Sequence, residues 1–261
     1  MKAFLFFFNV KVCDFLNMEE LRESLDILDD SGGCVRIAFM NVPLIILASN
    51  SPRRREILDW TRMEYSVHPA DIDETRLEGE PAEDYVLRLS LKKAQVSSGF
   101  APFNGLVLAA DTTVALGSEI LGKPANRKDA EAILLRLRGK IHQVHTAVAI
   151  TIPSRGITRQ VICSTDVHMR NYSDEELQAY LDTGDPMDKA GAYAIQHPEF
   201  RPVIKFSGCY ASVMGFPLCH FEWLLRQMGY GDRKEIPYVC QEHLSYSCPI
   251  FRHVLKGETV G

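Results

Sequence analysis

Short unbroken apolar runs alternate along this chain with longer stretches whose apolar residues recur every three or four positions, the pattern of strands and helices sharing one core. Residues 44–48 (LIILA) read as a buried strand that stops at the polar string Ser49-Asn50-Ser51-Pro52. Ser51 fits a helix N-cap and Pro52 the first helical position, where a missing N–H costs nothing, so a helix follows with Ile57 and Leu58 facing inward. A second helix is predicted from near Pro81 through Gln95. Residues 106–110 (LVLAA) form another apolar strand with Asp111 at its end, and 112–116, Gly117-Ser118 and 119–121 read as a hairpin. Asn126 caps a helix that runs through Leu137 and ends before Gly139. Strands are predicted over 144–152, 157–169 and 203–206. Ser173 and Glu176 make a capping box for a helix closing at Gly184, and a final helix spans 217–228. Strands, hairpins and helices in this order imply an α/β fold around one mixed sheet.

The flanks differ. Residues 17–27 (NMEELRESLDI) read as a short amphipathic helix that runs into the linker-like Asp29-Asp30-Ser31-Gly32-Gly33, and the chain beyond Tyr230 shows little periodicity. The expected organisation is an N-terminal extension outside the fold (1–39), a catalytic domain (40–230) and a peripheral C-terminal tail (231–261). Met40, just before NVPLIILASNSPRRR, is a candidate start of the protein. The opening MKAFLFFFNV resembles a targeting segment but lacks an A-x-A cleavage site and is too short to span a bilayer.

Composition narrows the function classes. The chain has 261 residues, 46% hydrophobic and 24% charged, enough for a full core. A net charge of -5 argues against a broad nucleic-acid footprint, which needs a basic face over much of a domain. Seven cysteines without a C-x-x-C pair fit reduced thiols and a cytoplasmic protein.

Candidate chemistry gathers in a few strings. A strand, tight polar turn and helix aim backbone N–H groups and the positive helix end at an anion. Ser49 and Ser51 add hydroxyls there. Arg53 and Arg54 sit in the first turn, where cations oppose the helix dipole, so either a bound phosphate relieves the repulsion or the run is a solvated basic surface. Asp111 can hold a divalent cation, take a proton from water, or cap its strand. Lys93 shares a helical stripe with Val86, Leu89 and Ser90, so its stem packs while its ammonium turns inward or to an edge. Lys123 in LGKP is a further phosphate candidate. Asp71, Asp73 and Glu74 form an acidic loop able to complete a magnesium or manganese site with Asp111, or simply solvated. His142 and His145, three apart on a strand, point to opposite faces, which counts against zinc. Lys189, Tyr193 and Gln196 place polar groups on a Gly- and Ala-rich segment, and the Gln196 amide suits the imide edge of uracil or thymine.

Together, LASNSPRRREIL, LKKA, AADTTV, GKP, HQVHTAVAI, TGDPMDKAGAYAIQ and MGFPL resemble the Maf family of nucleotide pyrophosphatases from Leu44 to about Met228. The resemblance implies a mixed, twisted α/β sheet with flanking helices and a central cleft, similar to inosine triphosphate pyrophosphatases. It implies hydrolysis of a nucleoside triphosphate to the monophosphate and pyrophosphate, with a divalent cation (Mg2+ or Mn2+) as cofactor. The DTTV and MDKAGAY strings look like the branch acting on dTTP and UTP. There the position matching Asp111 is the proton acceptor, and those matching Arg53, Thr112 and Gln196 bear on base selectivity. Those matching Ser49, Arg54, Glu74, Lys93 and Lys123 line the triphosphate and metal site, Glu74 and Asp111 being the expected metal ligands. A homodimer is implied by the resemblance alone, and no membrane or stable nucleic-acid partner is expected. Two departures border the base position: Ala194 stands where glycine is common, and His197-Pro198-Glu199-Phe200 replaces a Gly-rich continuation. The rival readings are a pyrophosphatase for a modified purine triphosphate such as 7-methyl-GTP, and a non-enzymatic regulator of division or DNA using SPRRR as a basic contact.

Overall fold

The structure is a computed structural model that describes residues 24–28, 34–38, 43–231, 233–258 and 260. The chain separates into two units, residues 1–42 and 43–261. In the first, β1 (Ser24–Leu28) pairs antiparallel with β2 (Cys34–Ala38), Asp26 in register with Arg36. The helix expected over 17–27 is therefore a strand where it is described, and the rest of it lies outside the described residues. Ser24, Leu25, Asp26 and Ile27 alternate polar and apolar, and that period of two overrides the helical spacing.

The second unit is built on a seven-stranded mixed sheet. Its strands are β3 (Ile45–Leu47), β4 (Tyr65–Val67), β5 (Leu106–Leu116), β6 (Glu119–Leu121), β7 (Ile141–Ile152), β8 (Ile157–Met169) and β9 (Val203–Ser207). They lie in the order β4-β3-β5-β7-β8-β9, with β6 also paired to β5. The pairs β3–β4 and β3–β5 are parallel and all others antiparallel. The flanking helices are α1 (Pro52–Asp59), α2 (Ala82–Ser97), α3 (Arg127–Leu137), α4 (Asp174–Asp182), α5 (Tyr210–Met214), α6 (Leu218–Gln227), α7 (Ile236–Leu244) and α8 (Phe251–Leu255).

Alternation along β5 sends its side chains into two cores. Val107 and Ala109 join Ile46, Ala48, Ala149 and Ala94 of α2, while Val114 joins Val144 and Val167 beneath α3 and α4. The local signals place their elements as expected. Ser51 Oγ accepts from the Arg54 N–H, Asn126 Oδ1 from the Asp129 N–H, and Ser173 with Glu176 forms the reciprocal box.

Three expectations change. Asp111 does not end a strand: β5 continues to Leu116, and Asp111 faces Ala147 in the middle of the β5–β7 ladder. The β-branched Thr112, Thr113 and Val114 favour extension, and the partner strand β7 starts earlier than expected, at Ile141. Short β4 and α5 carried too few residues for a periodic signal. Residues beyond Tyr230 carry α7 and α8, both packed on α6, with Ile236, Cys240 and Val254 buried. Ile236, Cys240 and Leu244 recur every fourth position, which is the signal that marks α7.

The register leaves an opening. β3 pairs with β5 only through Leu108, and β6 takes up the same edge from Val114. Residues 109–113 of β5 thus face the turn leaving the carboxyl end of β3, the position where α/β sheets open a crevice. A neighbouring fixed point is Gly191, at φ +70°, whose N–H donates to the Gly122 carbonyl at 3.1 Å. A Cβ there would lie 2.8 Å from Val114 Cγ2. Gly191→Ala is expected to lower stability by about 1–3 kcal/mol through backbone strain and overpacking, read as a lower urea midpoint at unchanged m-value; an unchanged midpoint would show that the segment relaxes.

Candidate active site

Arg54 organises the turn between β3 and α1. Its Nη1 donates to Ser49 Oγ at 3.2 Å, its Nε to the Gly215 carbonyl at 3.0 Å and its Nη2 to Thr112 Oγ1 at 3.2 Å. Thr112 is itself held by Thr146 Oγ1 at 3.0 Å, which donates on to the Ser212 carbonyl at 2.9 Å. Burial lowers the Arg54 pKa, Asp111 acts against that shift, Arg53 adds to it and Glu74 opposes it. An arginine so placed stays charged. Arg53 turns the other way, with Nη1 2.8 Å from Asp188 Oδ2 and Nη2 3.2 Å from the Asp188 carbonyl. The basic run at the helix start is thus divided between a buried framework and an opposing loop.

On the other face of β5, Lys93 Nζ lies 2.5 Å from Asp111 Oδ1 and 2.6 Å from Glu74 Oε1. Its stem packs in α2 and its ammonium turns inward, the first of the two fates the sequence left open. Asp111 is only 6% exposed. Burial pushes its carboxyl above the ordinary carboxylate value, while the Lys93 and Arg54 charges and the Lys93 hydrogen bond pull it down. Glu74 is more than half exposed, and it is the member of the acidic loop that reaches this cation. Asp71 is exposed, and Asp73 accepts from the Thr75 N–H at 2.9 Å instead. Among the described residues no group of three or more His, Cys, Asp or Glu side chains is arranged to hold a metal ion.

Residues the sequence did not single out fix Glu74 in place. Tyr85 OH donates to the Glu74 carbonyl at 2.9 Å, and Arg88 donates to both Glu80 oxygens (2.6 and 2.8 Å) and to the Thr75 carbonyl (3.1 Å). Arg88 holds the Glu80 carboxyl down at about 2. The spacing of Glu80, Tyr85 and Arg88 around the start of α2 was visible, but nothing local says that a loop folds back onto them.

The cleft has two lobes that share Ser51, Arg53, Arg54, Lys123 and Asp188. One is charged and adds Ser49, Glu74 and Lys93. The other is lined by Thr112, Val114, Val144, Tyr193, Gln196 and Met214. Asp111 sits behind Lys93, outside the lining of both lobes. Gln196 is exposed on a turn at the rim of the second lobe. Lys189 lines the second lobe with Tyr193 and Gln196 while staying buried, and it donates to Asp185 Oδ1 at 2.8 Å and Asp188 Oδ1 at 2.7 Å, so it also ties the loop together. His142 and His145 do face opposite ways. His142 Nε2 is 2.8 Å from Tyr193 OH, and His145 Nδ1 is 2.8 Å from Ser164 Oγ.

The family profile described as Maf-like protein matches residues 44–228. The chain belongs to the Maf family. It is 43% identical over 190 residues to a dTTP/UTP pyrophosphatase of Anaeromyxobacter dehalogenans, covering 72% of this chain and 95% of that one. It is 44% identical over 191 residues to one of Methylobacillus flagellatus (73% and 95%) and 45% identical over 186 residues to one of Myxococcus xanthus (71% and 93%). Among solved structures, the Staphylococcus aureus Ham1 protein overlaps 77% of this chain and 98% of its own at 14% identity and a TM-score of 0.38. The Maf match spans β3 to the end of α6, which includes every element of the cleft.

Two outcomes follow for this Maf domain. Lys93→Met strands a buried carboxylate and should cost about 3–5 kcal/mol, whereas adding Asp111→Asn should restore most of it; chemical denaturation of the two single variants and the double variant reads the coupling, and additive losses would show that the pair is not coupled. Burial lowers the His142 pKa to about 4, below its unfolded value, with His168 adding to the shift. The stability that its neutral ring contributes is present above about pH 6.5 and is lost as pH falls toward 4, at about 1.4 kcal/mol per pH unit. Urea midpoints of His142→Phe should therefore fall less steeply than wild type between pH 6.5 and 4.5, and parallel slopes would refute that assignment.

Proposed function

We propose that this Maf-family chain hydrolyses dTTP and UTP to the monophosphate and pyrophosphate. The observation that carries the reading is the two-lobed cleft: a cationic lobe and a lobe of mixed apolar and amide character meet at Arg53 and Arg54, as a triphosphate joined to a base requires. The names of the relatives supply the pyrimidine preference.

In this mechanism a water attacks the α-phosphorus and gives its proton to Asp111, and burial makes that carboxylate a stronger base than an exposed one. The bond from the α-phosphorus to the bridging oxygen breaks, and its electron pair leaves with pyrophosphate. Arg54, Lys93 and Lys123, with the hydroxyls of Ser49 and Ser51, neutralise the β- and γ-phosphates and stabilise the departing anion more than the bound substrate. Because Arg54 is held by three fixed partners, little reorganisation is needed when the charge develops. Arg53, Thr112 and Gln196 select the base, Gln196 by donating to and accepting from its imide edge. Two carboxylates across one ammonium fit a hard divalent cation, because magnesium takes one or two protein carboxylates and completes its shell with substrate phosphates. Asp111 and Glu74 would hold that ion, which when bound supplies phosphate charge neutralisation and a more acidic water. A small triphosphate, rather than duplex nucleic acid, suits a chain of net charge -5 in which Arg53, Arg54, Lys93 and Lys123 line one cleft. Among the described residues no helix is long and apolar enough to cross a membrane.

The test is incubation with magnesium or manganese and a panel of dTTP, UTP, methylated pyrimidine triphosphates, ITP and 7-methyl-GTP, with both products measured. Equal release of pyrophosphate and monophosphate from dTTP or UTP is expected. Release from a purine alone would reassign the substrate, and no release from any would favour the regulator reading. Asp111→Asn is expected to cut turnover by about 10²–10⁴-fold while dTTP binding survives; pyrophosphate release at the wild-type rate by that variant would remove Asp111 from its role.

A further inference from the structure

Gln196 is exposed on a turn, yet reading a base edge requires its amide to stay within a few tenths of an ångström of one position. The turn has its own closure, the His197 N–H donating to the Ala194 carbonyl at 3.2 Å, which puts Gln196 third of four residues. One buried side chain of the body, Tyr180 of α4, holds this turn at both its ends. The Ala194 N–H donates to Tyr180 OH at 3.1 Å, so the hydroxyl grips the turn at its first residue. The His197 ring meets the Tyr180 ring edge-on, 4.8 Å between centroids, at the last residue. Phe200 then stacks on the same ring at 4.2 Å and 13°, and its N–H donates to His197 Nδ1 at 3.0 Å. The segment His197-Pro198-Glu199-Phe200 therefore clamps the turn against α4.

The same hydroxyl also reaches the opposite wall of the base lobe. Tyr180 OH donates to Asp185 Oδ2 at 2.7 Å, Asp185 Oδ1 accepts from Lys189, Lys189 donates to Asp188 Oδ1, and Asp188 Oδ2 accepts from Arg53. One phenol thus sits between the turn that carries Gln196 and the chain of charges that holds Arg53. We propose that Tyr180 is the positioning residue for base selection, its hydroxyl setting the placement of Gln196 against Arg53 across the second lobe. It touches no substrate and acts through the turn. The inference rests on the reading of that lobe as the base site.

The experiment compares equilibrium binding and pyrophosphate release for dTTP and dCTP, which differ at the base edge, in wild type, Tyr180→Phe, Gln196→Ala and the double variant. Tyr180→Phe keeps the ring for Phe200 and His197 and removes only the hydroxyl, and its thermal midpoint establishes that the fold survives. The expected result is that the preference for dTTP over dCTP falls by about tenfold or more, through weaker dTTP binding at little-changed kcat, with dCTP unaffected. The double variant should be no less selective than Gln196→Ala alone, because both changes remove one function. Wild-type selectivity in Tyr180→Phe, equal weakening for both nucleotides, or additive losses in the double variant would each overturn the role. Wild type that binds dTTP selectively but releases no pyrophosphate refutes the proposed reaction and leaves the Tyr180 comparison readable from binding. Wild type without selectivity refutes the positioning role itself.

Discussion

A carboxylate buried in the middle of a sheet strand is stable only with a cation beside it, and in this chain that cation is delivered by a helix. Asp111 and Lys93 meet at 2.5 Å between β5 and α2, where either charge alone would be strongly disfavoured. The requirement propagates outward. Lys93 reaches Asp111 because Ala94 and Leu89 anchor α2 against the sheet, and Glu74 reaches Lys93 because Glu80, Tyr85 and Arg88 hold its loop down. Core packing, loop placement and the cluster of Asp111, Lys93 and Glu74 are thus one arrangement, and a change in any of them is felt at the Asp111 carboxyl.

The sheet supplies the room. β3 stops pairing with β5 at Leu108 and β6 resumes at Val114, so the strand that carries Asp111 and Thr112 has an open edge between them. Asp111 points toward α2 and the charged lobe's lysine, whereas Thr112, one residue on, points toward Arg54 and the second lobe. The proposed proton acceptor and a wall of the second lobe are thereby set by adjacent residues of a rigid strand, a more exact placement than two loops would give.

Much of this was legible because it is local. The caps at Ser51, Asn126 and Ser173 act within four residues, and the structure shows each hydrogen bond that the residue types called for. The convergence of Ser49, Arg54, Lys93, Lys123 and Glu74 on one lobe was legible only from the set of motifs, since each alone has an ordinary surface explanation. Pairing was harder to read. Nothing near Asp111 in sequence says that β5 continues past it, because the ladder that extends it is formed with β7 more than thirty residues away. Lys189 is hard to read for a related reason: its partners Asp185 and Asp188 lie close in sequence, but only the compact turn between α4 and Tyr193 brings both carboxylates onto its ammonium. The network through Tyr180 combines an aromatic stack, a phenol and a carboxylate, and none of these has a spacing rule.

Arg53 and Arg54 are consecutive but live in different electrostatic surroundings. Arg54 is enclosed, with its partners inside the protein, whereas the Arg53–Asp188 pair is bridged at the surface with more than half of the Asp188 side chain in water. Dissolved ions screen the second and hardly reach the first. Ionic strength is therefore a dial on Arg53 far more than on Arg54. As salt rises, the grip of the loop on Arg53 slackens while the guanidinium beside Ser49 and Thr112 keeps its place, so the medium in which the protein works sets how tightly the two walls are held together.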